Sequence, residues 1–215
     1  MIPRRYFRLR EVLDKRQPDL TVLMENVHKP HNLSAILRTC DAVGILNTHA
    51  VSLRGGIATY NKTAKGSQKW VNLHTHPNIK TAIATLKAQN YQIYAAHLSD
   101  KAVDYRSLDY TQPTALLLGA EKWGVSEEAA DLVDQHIIIP MMGMVQSLNV
   151  SVAAAVILFE AQRQRLEAGM YDSVRLNSDT YEKCLFEWGY PTEAAIYREN
   201  GQPYPKLGDK GQILR

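Results

Sequence analysis

Short apolar runs alternate with longer helical patterns through the middle of the 215-residue chain, and this alternation constrains the fold more than any other feature. Alternating strands and helices are typical of βα units around a mainly parallel sheet. The sequence therefore predicts the α/β fold class. The six predicted strands cover residues 20–24, 49–53, 70–75, 91–97, 114–118 and 136–139.

Helical periodicity separates these strands and also extends to both ends of the chain. Two of the predicted helices have Asn32 and Ser147 as possible N-caps, and Gly44 and Gly169 as the residues that end them. An extended tail is expected after the last helix. The helical patterns cover residues 3–16, 32–43, 78–89, 126–133, 147–168 and 178–187.

Composition and segment lengths exclude several classes of protein. With 45% hydrophobic and 22% charged residues, the chain has the composition of a folded globular protein. Its longest near-continuous apolar run, residues 150–159, is shorter than the roughly 20 residues that cross a bilayer. The start of the chain has no secretory h-region, and Cys40 and Cys184 have no metal-ligand spacing. We therefore expect a cytoplasmic protein with no membrane span and no metal site.

Positive charge is concentrated at the start of the chain. Residues 1–16 hold six basic and two acidic side chains, so their local excess of +4 is larger than the net charge of +3 for the whole chain. A solvated amphipathic helix would show this pattern, and so would a helix that binds a polyanion. Charge alone leaves both interpretations open.

The common nucleotide-binding motifs do not fit this sequence. Gly119 and Gly124 have the spacing of a phosphate loop, but Val125 and Ser126 follow where Lys and Ser or Thr are required. The first predicted strand leads into residues 27–32, which contain no GxGxxG motif. A P-loop and a dinucleotide-binding site are therefore both unsupported.

Polar residues follow three of the predicted strands, at the edge where open α/β sheets bind ligands. Each has a simple structural explanation as a helix cap, a surface ion-pair partner or a loop charge. These candidates are Asn32 with Arg38, Glu121, and Ser147 with Asn149 and Ser151.

The loop Pro140-Met-Met-Gly-Met144 is not explained in this way, because turns normally favour polar residues. An apolar loop between a strand and a helix is expected to be covered by another group.

Three segments together resemble the three motifs of the SPOUT methyltransferases, most closely the TrmH branch of tRNA guanosine-18 2′-O-methyltransferases. They are ENVHKPHNLSAILRTCDAVG, LLLGAEKWGVS and IIIPMMGMVQSLNVSVAAAVILFEAQRQR. The resemblance spans nearly the whole chain. It implies a SPOUT domain with a C-terminal trefoil knot at residues 18–169, a basic helical extension at 1–17, a C-terminal extension at 170–215, and a homodimer.

The resemblance also implies an activity: methyl transfer from S-adenosyl-L-methionine to the ribose 2′-hydroxyl of guanosine 18 in the D-loop of tRNA, with S-adenosyl-L-homocysteine as product. The methionine-rich loop would then wall the cofactor pocket. The positions that match cofactor-binding residues of the family are Ala96, Gly119, Ile139, Met144 and Leu148.

The catalytic residues implied by the resemblance are Arg38, Asn32, Glu121, Ser147 and Asn149. Arg38 would either take the proton of the 2′-hydroxyl or stay charged and stabilise the developing alkoxide. Asn32 would hold Arg38 or the ribose, and the other three would shape the cofactor and guanosine sites. The residues that resemble the tRNA-contacting set are Arg5, Arg8, Arg16, His31, Arg163 and Arg165.

Two alternatives to guanosine-18 methylation stay open. A related enzyme would modify another tRNA nucleotide or ribosomal RNA, and Trp123 in the second motif, where related proteins often carry a smaller or polar residue, leaves the target open. A non-catalytic RNA-binding SPOUT protein is the second alternative. The five candidate catalytic residues favour an enzyme over it.

Overall fold

The computed structural model describes residues 1–51 and 69–214. The chain forms two compact units. Residues Pro18–Ala168 make the larger one, called here the α/β unit, and the segments Met1–Gln17 and Gly169–Arg215 together make the terminal unit.

Seven parallel strands form the sheet of the α/β unit in the described part of the chain, in the order β3-β2-β1-β6-β4-β7-β5. The strands are β1 (Leu20–Glu25), β2 (Asn47–Val51), β3 (Asn72–His76), β4 (Gln92–Ala96), β5 (Val103–Asp104), β6 (Thr114–Leu118) and β7 (Gln135–Ile138).

The predicted α/β class and mainly parallel sheet are confirmed. All six predicted strands are present, within two residues at every end that the structure describes; residues 52 and 53 of the second lie outside the described residues. The sequence missed β5 because two residues are too few to show a periodic pattern. The knot depends on how the chain threads through a loop, and it stays a prediction.

Six of the helices correspond to the helical patterns of the sequence. Within the described residues, the α-helices are α1 (Pro3–Leu13), α2 (Pro30–Ala42), α3 (Ile79–Ala88), α4 (Glu127–Leu132), α5 (Val150–Glu167), α6 (Ser178–Gly189) and α7 (Pro191–Glu199). The expected extended tail is wrong at α7, where Pro191 occupies the first turn, in which its missing N–H costs no hydrogen bond.

Two of the possible helix caps are also wrong. Asn32 lies inside α2, which begins after Lys29, and its side chain is bonded elsewhere. Asn149, not Ser147, caps α5: its side-chain oxygen accepts a hydrogen bond of 2.9 Å from the backbone N–H of Ser151.

The sheet is the middle of three layers. Along β6, Leu116 and Leu118 pack on the face covered by α2 and α5, whereas Ala115 and Leu117 pack on the face covered by α3 and α4. Because strand side chains alternate between faces, an all-apolar strand is expected only where both faces are covered. Burial on both faces holds the strands in place, and the polar candidates lie in the segments that follow the strand ends.

No helix within residues 1–51 and 69–214 has the length and apolarity needed to span a membrane.

Candidate active site

A pocket of about 890 Å³ opens at the carboxyl ends of three neighbouring strands, β4, β6 and β7. Ala96 ends β4, Leu118 ends β6 and Ile138 ends β7, and all three line the pocket. Ligands bind at this edge in open α/β sheets, since the loops that leave the strands can diverge there. The volume is in the range of pockets that hold cofactor-sized molecules.

The loop after β6 forms one wall of the pocket as a tight, closed turn. The backbone groups of Ala120 and Gly124 exchange two hydrogen bonds of 2.8 and 2.9 Å. A Cβ atom on Gly119 would lie 2.0 Å from the carbonyl carbon of Gly124, and Gly124 has a φ of +68°. The turn therefore requires glycine at both positions, for close backbone approach at the first and for a left-handed backbone at the second.

Glu121, at the tip of this turn, is bonded to the start of α2. Its Oε1 accepts hydrogen bonds from the Asn32 side chain at 2.9 Å and from the backbone N–H of Lys29 at 3.2 Å. Burial acts to raise the pKa of the Glu121 carboxyl, but the hydrogen bonds from Asn32 and from nearby backbone N–H groups outweigh it and lower the pKa. Glu121 is thus an ionised carboxylate that joins the first and second motifs.

The loop between β7 and α5 forms the opposite wall. Ile139, Ser147, Leu148 and Asn149 line the pocket there. Four of the five predicted cofactor-binding residues therefore line one pocket: Ala96, Gly119, Ile139 and Leu148.

Met144 is the exception, because its side chain is 99% exposed and is not among the described residues that line the pocket. The neighbouring Met142 and Val145 are 94% and 60% exposed, so the loop is not covered within this single chain. Large apolar side chains that are exposed together commonly mark a surface that another molecule covers.

Arg38 is exposed on α2 and lies outside the lining of the pocket. It follows Asn32 by six residues, or about one and two-thirds helical turns, so the two side chains point to different sides of the helix. Of the two partners expected for Asn32, Arg38 is therefore wrong, and the Asn32 amide binds Glu121. A contact between Asn32 and the ribose stays a prediction. The single chain brings together Asn32, Glu121, Ser147 and Asn149, but not Arg38.

Two of the predicted RNA-contacting residues are corrected by their burial. Arg16 is fully buried in the terminal unit, with its guanidinium carbon 5.3 Å from the centre of the Trp188 ring. Arg165 is fully buried in the α/β unit, where its Nη1 lies 2.6 Å from Oδ1 of Asp19. A buried guanidinium cannot reach a phosphate, so both arginines stabilise the fold.

The other predicted RNA-contacting residues are on the surface. Arg5 and Arg8 are exposed on α1, where Arg8 lies 3.1 Å from Glu11, and His31 is exposed at the start of α2. Arg163 is exposed and is paired with two glutamates of its own helix. Exposed ion pairs are weak, so Arg8 and Arg163 remain available to a polyanion. The Arg5 guanidinium donates a hydrogen bond of 3.0 Å to the backbone oxygen of Trp188.

The sequence missed His97, which follows β4 directly and lines the pocket. Its ring lies edge-on to that of His136, with 5.1 Å between the ring centres, and burial and the neighbouring imidazole lower the pKa of His97. Its position after a buried strand was the available signal. Within the described residues, no group of three or more His, Cys, Asp or Glu side chains could hold a metal ion.

Comparison with known proteins gives consistent matches along the chain. The SpoU rRNA Methylase family matches residues 19–159, and the family described as SpoU, rRNA methylase, C-terminal matches residues 163–215. A Thermus thermophilus protein named tRNA (guanosine(18)-2′-O)-methyltransferase is 64% identical over 84% of this chain and 93% of its own length. The Escherichia coli protein of the same name is 54% identical over 99% of this chain and 94% of its own.

Solved structures agree with the sequence matches. The Aquifex aeolicus TrmH/SpoU tRNA modifying enzyme superimposes with a TM-score of 0.81 at 46% identity, over 87% of this chain and 96% of that one. The AviRb methyltransferase from Streptomyces viridochromogenes, solved with AdoMet, has a TM-score of 0.62 at 27% identity over 72% of this chain and 62% of that one. The resemblance noted in the sequence is confirmed: the chain belongs to the SpoU rRNA methylase family.

Proposed function

We propose that this chain transfers a methyl group from S-adenosyl-L-methionine to the ribose 2′-hydroxyl of guanosine 18 in tRNA. The observation that carries the proposal is the pocket at the ends of β4, β6 and β7, where the second and third motifs meet and Glu121 is bonded to the first. The names of the Thermus thermophilus and Escherichia coli relatives support the choice of nucleotide.

The pocket suits this cofactor in size and chemistry. Ala96, Ile137 and Ile139 offer apolar surface to an adenine ring, while Ser147 and Asn149 offer polar groups. The missing side chain of Gly119 lets the turn close on Gly124, and both glycines line the pocket. When bound, the cofactor supplies an electrophilic sulfonium methyl group, and transfer leaves S-adenosyl-L-homocysteine.

The protein would accelerate the reaction mainly by holding the acceptor oxygen in line with the methyl group. That oxygen must also lose its proton. Arg38 would take the proton or stabilise the developing alkoxide as a charged group, and Asn32 with Glu121 would keep the start of α2 in place against the pocket loop.

We also propose a homodimer, because three large apolar side chains form an exposed stripe along one side of α5. Val152, Phe159 and Leu166 are 47%, 49% and 54% exposed, and their spacing of seven residues places them on one side of the helix. A second chain that covers this stripe would also lie close to α2, which packs beside α5 and carries Arg38. In such a dimer, Arg38 would lie near the interface, where it would be close to an active site.

Contacts with tRNA would come from Arg5, Arg8, His31 and Arg163, whose side chains are exposed. Because phosphate contacts release counterions, RNA binding should weaken strongly as salt concentration rises.

We also propose a cytoplasmic location, which a tRNA substrate and two buried, unbridged cysteines support.

The deciding experiment is to incubate the purified protein with bulk tRNA and labelled S-adenosyl-L-methionine and to map the methylated nucleotide. We expect label on the ribose of guanosine 18. Label on another tRNA nucleotide, or on ribosomal RNA alone, would support the related-enzyme alternative. Cofactor and RNA binding without any transfer would instead support the non-catalytic alternative.

Variants of Arg38 distinguish chemistry from binding. Arg38→Ala should lower kcat by roughly 100-fold or more with normal cofactor binding, since a general base or a charge at the alkoxide supplies about that factor. Arg38→Lys should recover part of the loss if charge stabilisation dominates. Unchanged kcat in Arg38→Ala would remove Arg38 from the mechanism.

A further inference from the structure

Trp123 exposes its indole ring at the edge of the active-site pocket. The side chain is 78% exposed, although tryptophan is among the residues that gain most from leaving water. Its two chain neighbours, Lys122 and Gly124, line the pocket, whereas Trp123 itself is not among the lining residues. An aromatic side chain held in water beside a pocket requires an explanation outside the core.

The backbone that carries this ring is fixed. Trp123 lies in the turn closed by the two hydrogen bonds between Ala120 and Gly124, and no side chain fits on Gly119. The same turn is bonded to α2 through Glu121. A rigid turn lowers the entropy that is lost when a ligand packs on the ring, and that loss is a main cost of binding.

A positive charge accompanies the ring. The Lys122 ammonium nitrogen lies 4.4 Å from the centre of the Trp123 ring. An exposed aromatic face next to a cation is the combination by which proteins bind single-stranded nucleic acid, because the ring stacks on a base while the cation attracts phosphate. RNA-binding proteins recognise loops in the same way, by stacking splayed bases on aromatic side chains.

We propose that Trp123 is a stacking platform for an unpaired nucleobase of the substrate RNA, with Lys122 contacting a nearby phosphate. This stacking site rests on the proposed function, since it would bind the tRNA loop that contains the methylated ribose. Stacking there would orient the nucleotide over the pocket, so Trp123 is a positioning residue rather than a catalytic one. The apolar stripe of α5 is a separate surface, which we assign to the second chain.

The test compares Trp123→Ala, Trp123→Leu and Trp123→Phe with the wild-type protein, using a transcribed tRNA and full-length chains. We expect the Ala and Leu variants to raise KM for tRNA by roughly 5- to 100-fold, the range of one base–aromatic stack, with little change in KM for the cofactor. Trp123→Phe should recover most of the affinity, because it keeps an aromatic face. Thermal unfolding should be unchanged, since the ring is exposed.

Transcripts with one abasic nucleotide in the D-loop identify the partner base. At the stacked position the abasic change should weaken binding to the wild-type protein but have no further effect on Trp123→Ala. If no position behaves in this way, or if Trp123→Leu binds tRNA as the wild type does, the stacking site is wrong.

Three other outcomes have distinct meanings. A Trp123→Ala variant that loses cofactor affinity, or that becomes monomeric in sedimentation, assigns the ring to the cofactor or to the second chain and overturns the proposal. A wild-type protein that methylates tRNA while the Trp123 variants are normal overturns the stacking site alone. A wild-type protein that neither binds nor methylates tRNA overturns the proposed function and the site with it.

Discussion

The guanidinium of Arg165, near the end of α5, is surrounded by oxygen atoms of two other segments of the α/β unit. It donates to the carboxylate of Asp19 at 2.6 Å and to the backbone oxygens of Tyr110 and Gln112 at 2.8 and 3.0 Å. Arg163, two residues earlier, is exposed and pairs only with glutamates of α5 in the contacts described above. Two similar residues therefore have different physical roles.

Replacing Arg165 should change stability and not RNA recognition. Arg165→Ala leaves the Asp19 carboxylate and two backbone oxygens without their buried cation, and breaking a buried pair on one side costs about 3 kcal/mol of unfolding free energy. Urea unfolding measures this loss. Arg163→Ala is the matched control: it should unfold almost as the wild type does, and it should weaken tRNA binding at low salt. Equal stability of the two variants would contradict this assignment.

At the scale of the element, the start of α5 both completes a helix and lines the pocket. The Asn149 side chain caps the helix, and the residue itself contributes to the pocket wall. Asn78 has the same capping role at α3, where its oxygen accepts from the backbone N–H of Thr81 at 2.8 Å, but it is not among the pocket residues. The two asparagines therefore allow capping to be separated from ligand binding.

Loss of either cap should cost about 1 kcal/mol of unfolding free energy, because each leaves helix N–H groups without an acceptor. Asn149→Ala should in addition weaken S-adenosyl-L-methionine binding, whereas Asn78→Ala should not. Denaturant unfolding and calorimetric titration with the cofactor measure the two effects. If Asn78→Ala weakened cofactor binding as much as Asn149→Ala, the effect would come from general destabilisation.

At the scale of the whole molecule, the apolar surface of α5 and of the loop before it remains exposed in the single chain. Met142, Met144 and Phe159 are 94%, 99% and 49% exposed. This arrangement is costly for a monomer in water. The proposed second copy of the chain would remove that cost and would bring α2 of each chain near the interface.

A charge within the stripe should prevent dimer formation. Phe159→Glu would place a carboxylate among buried apolar groups, so we expect a monomer by sedimentation and a large loss of methylation. Leu132→Glu is the control, because Leu132 is a partly exposed apolar residue on α4, which covers the other face of the sheet. A Phe159→Glu protein that stays dimeric and active would place the interface elsewhere.

The sequence by itself determined the family and, among the described residues, six of the seven strands and six of the seven α-helices. Apolar periodicity located the strands, because burial on both faces of β1 and β6 demands apolar residues at successive positions. Three local motifs were sufficient to indicate the family, since each is a continuous segment. Asn78 and Ser126, the first residues of two predicted helical patterns, cap α3 and α4 through their side-chain oxygens.

Only the tertiary structure decided which of the predicted site residues meet. Ala96, Gly119 and Leu148 are separated by more than twenty residues along the chain, and parallel strand order brings them to one pocket. The helical repeat of α2 directs Asn32 toward Glu121 and places Arg38 outside the pocket lining. Arg16 and Arg165, which the sequence predicted as RNA contacts, are buried and stabilise the fold. Local sequence specifies residue type and period, whereas burial and contact depend on segments that are distant in sequence.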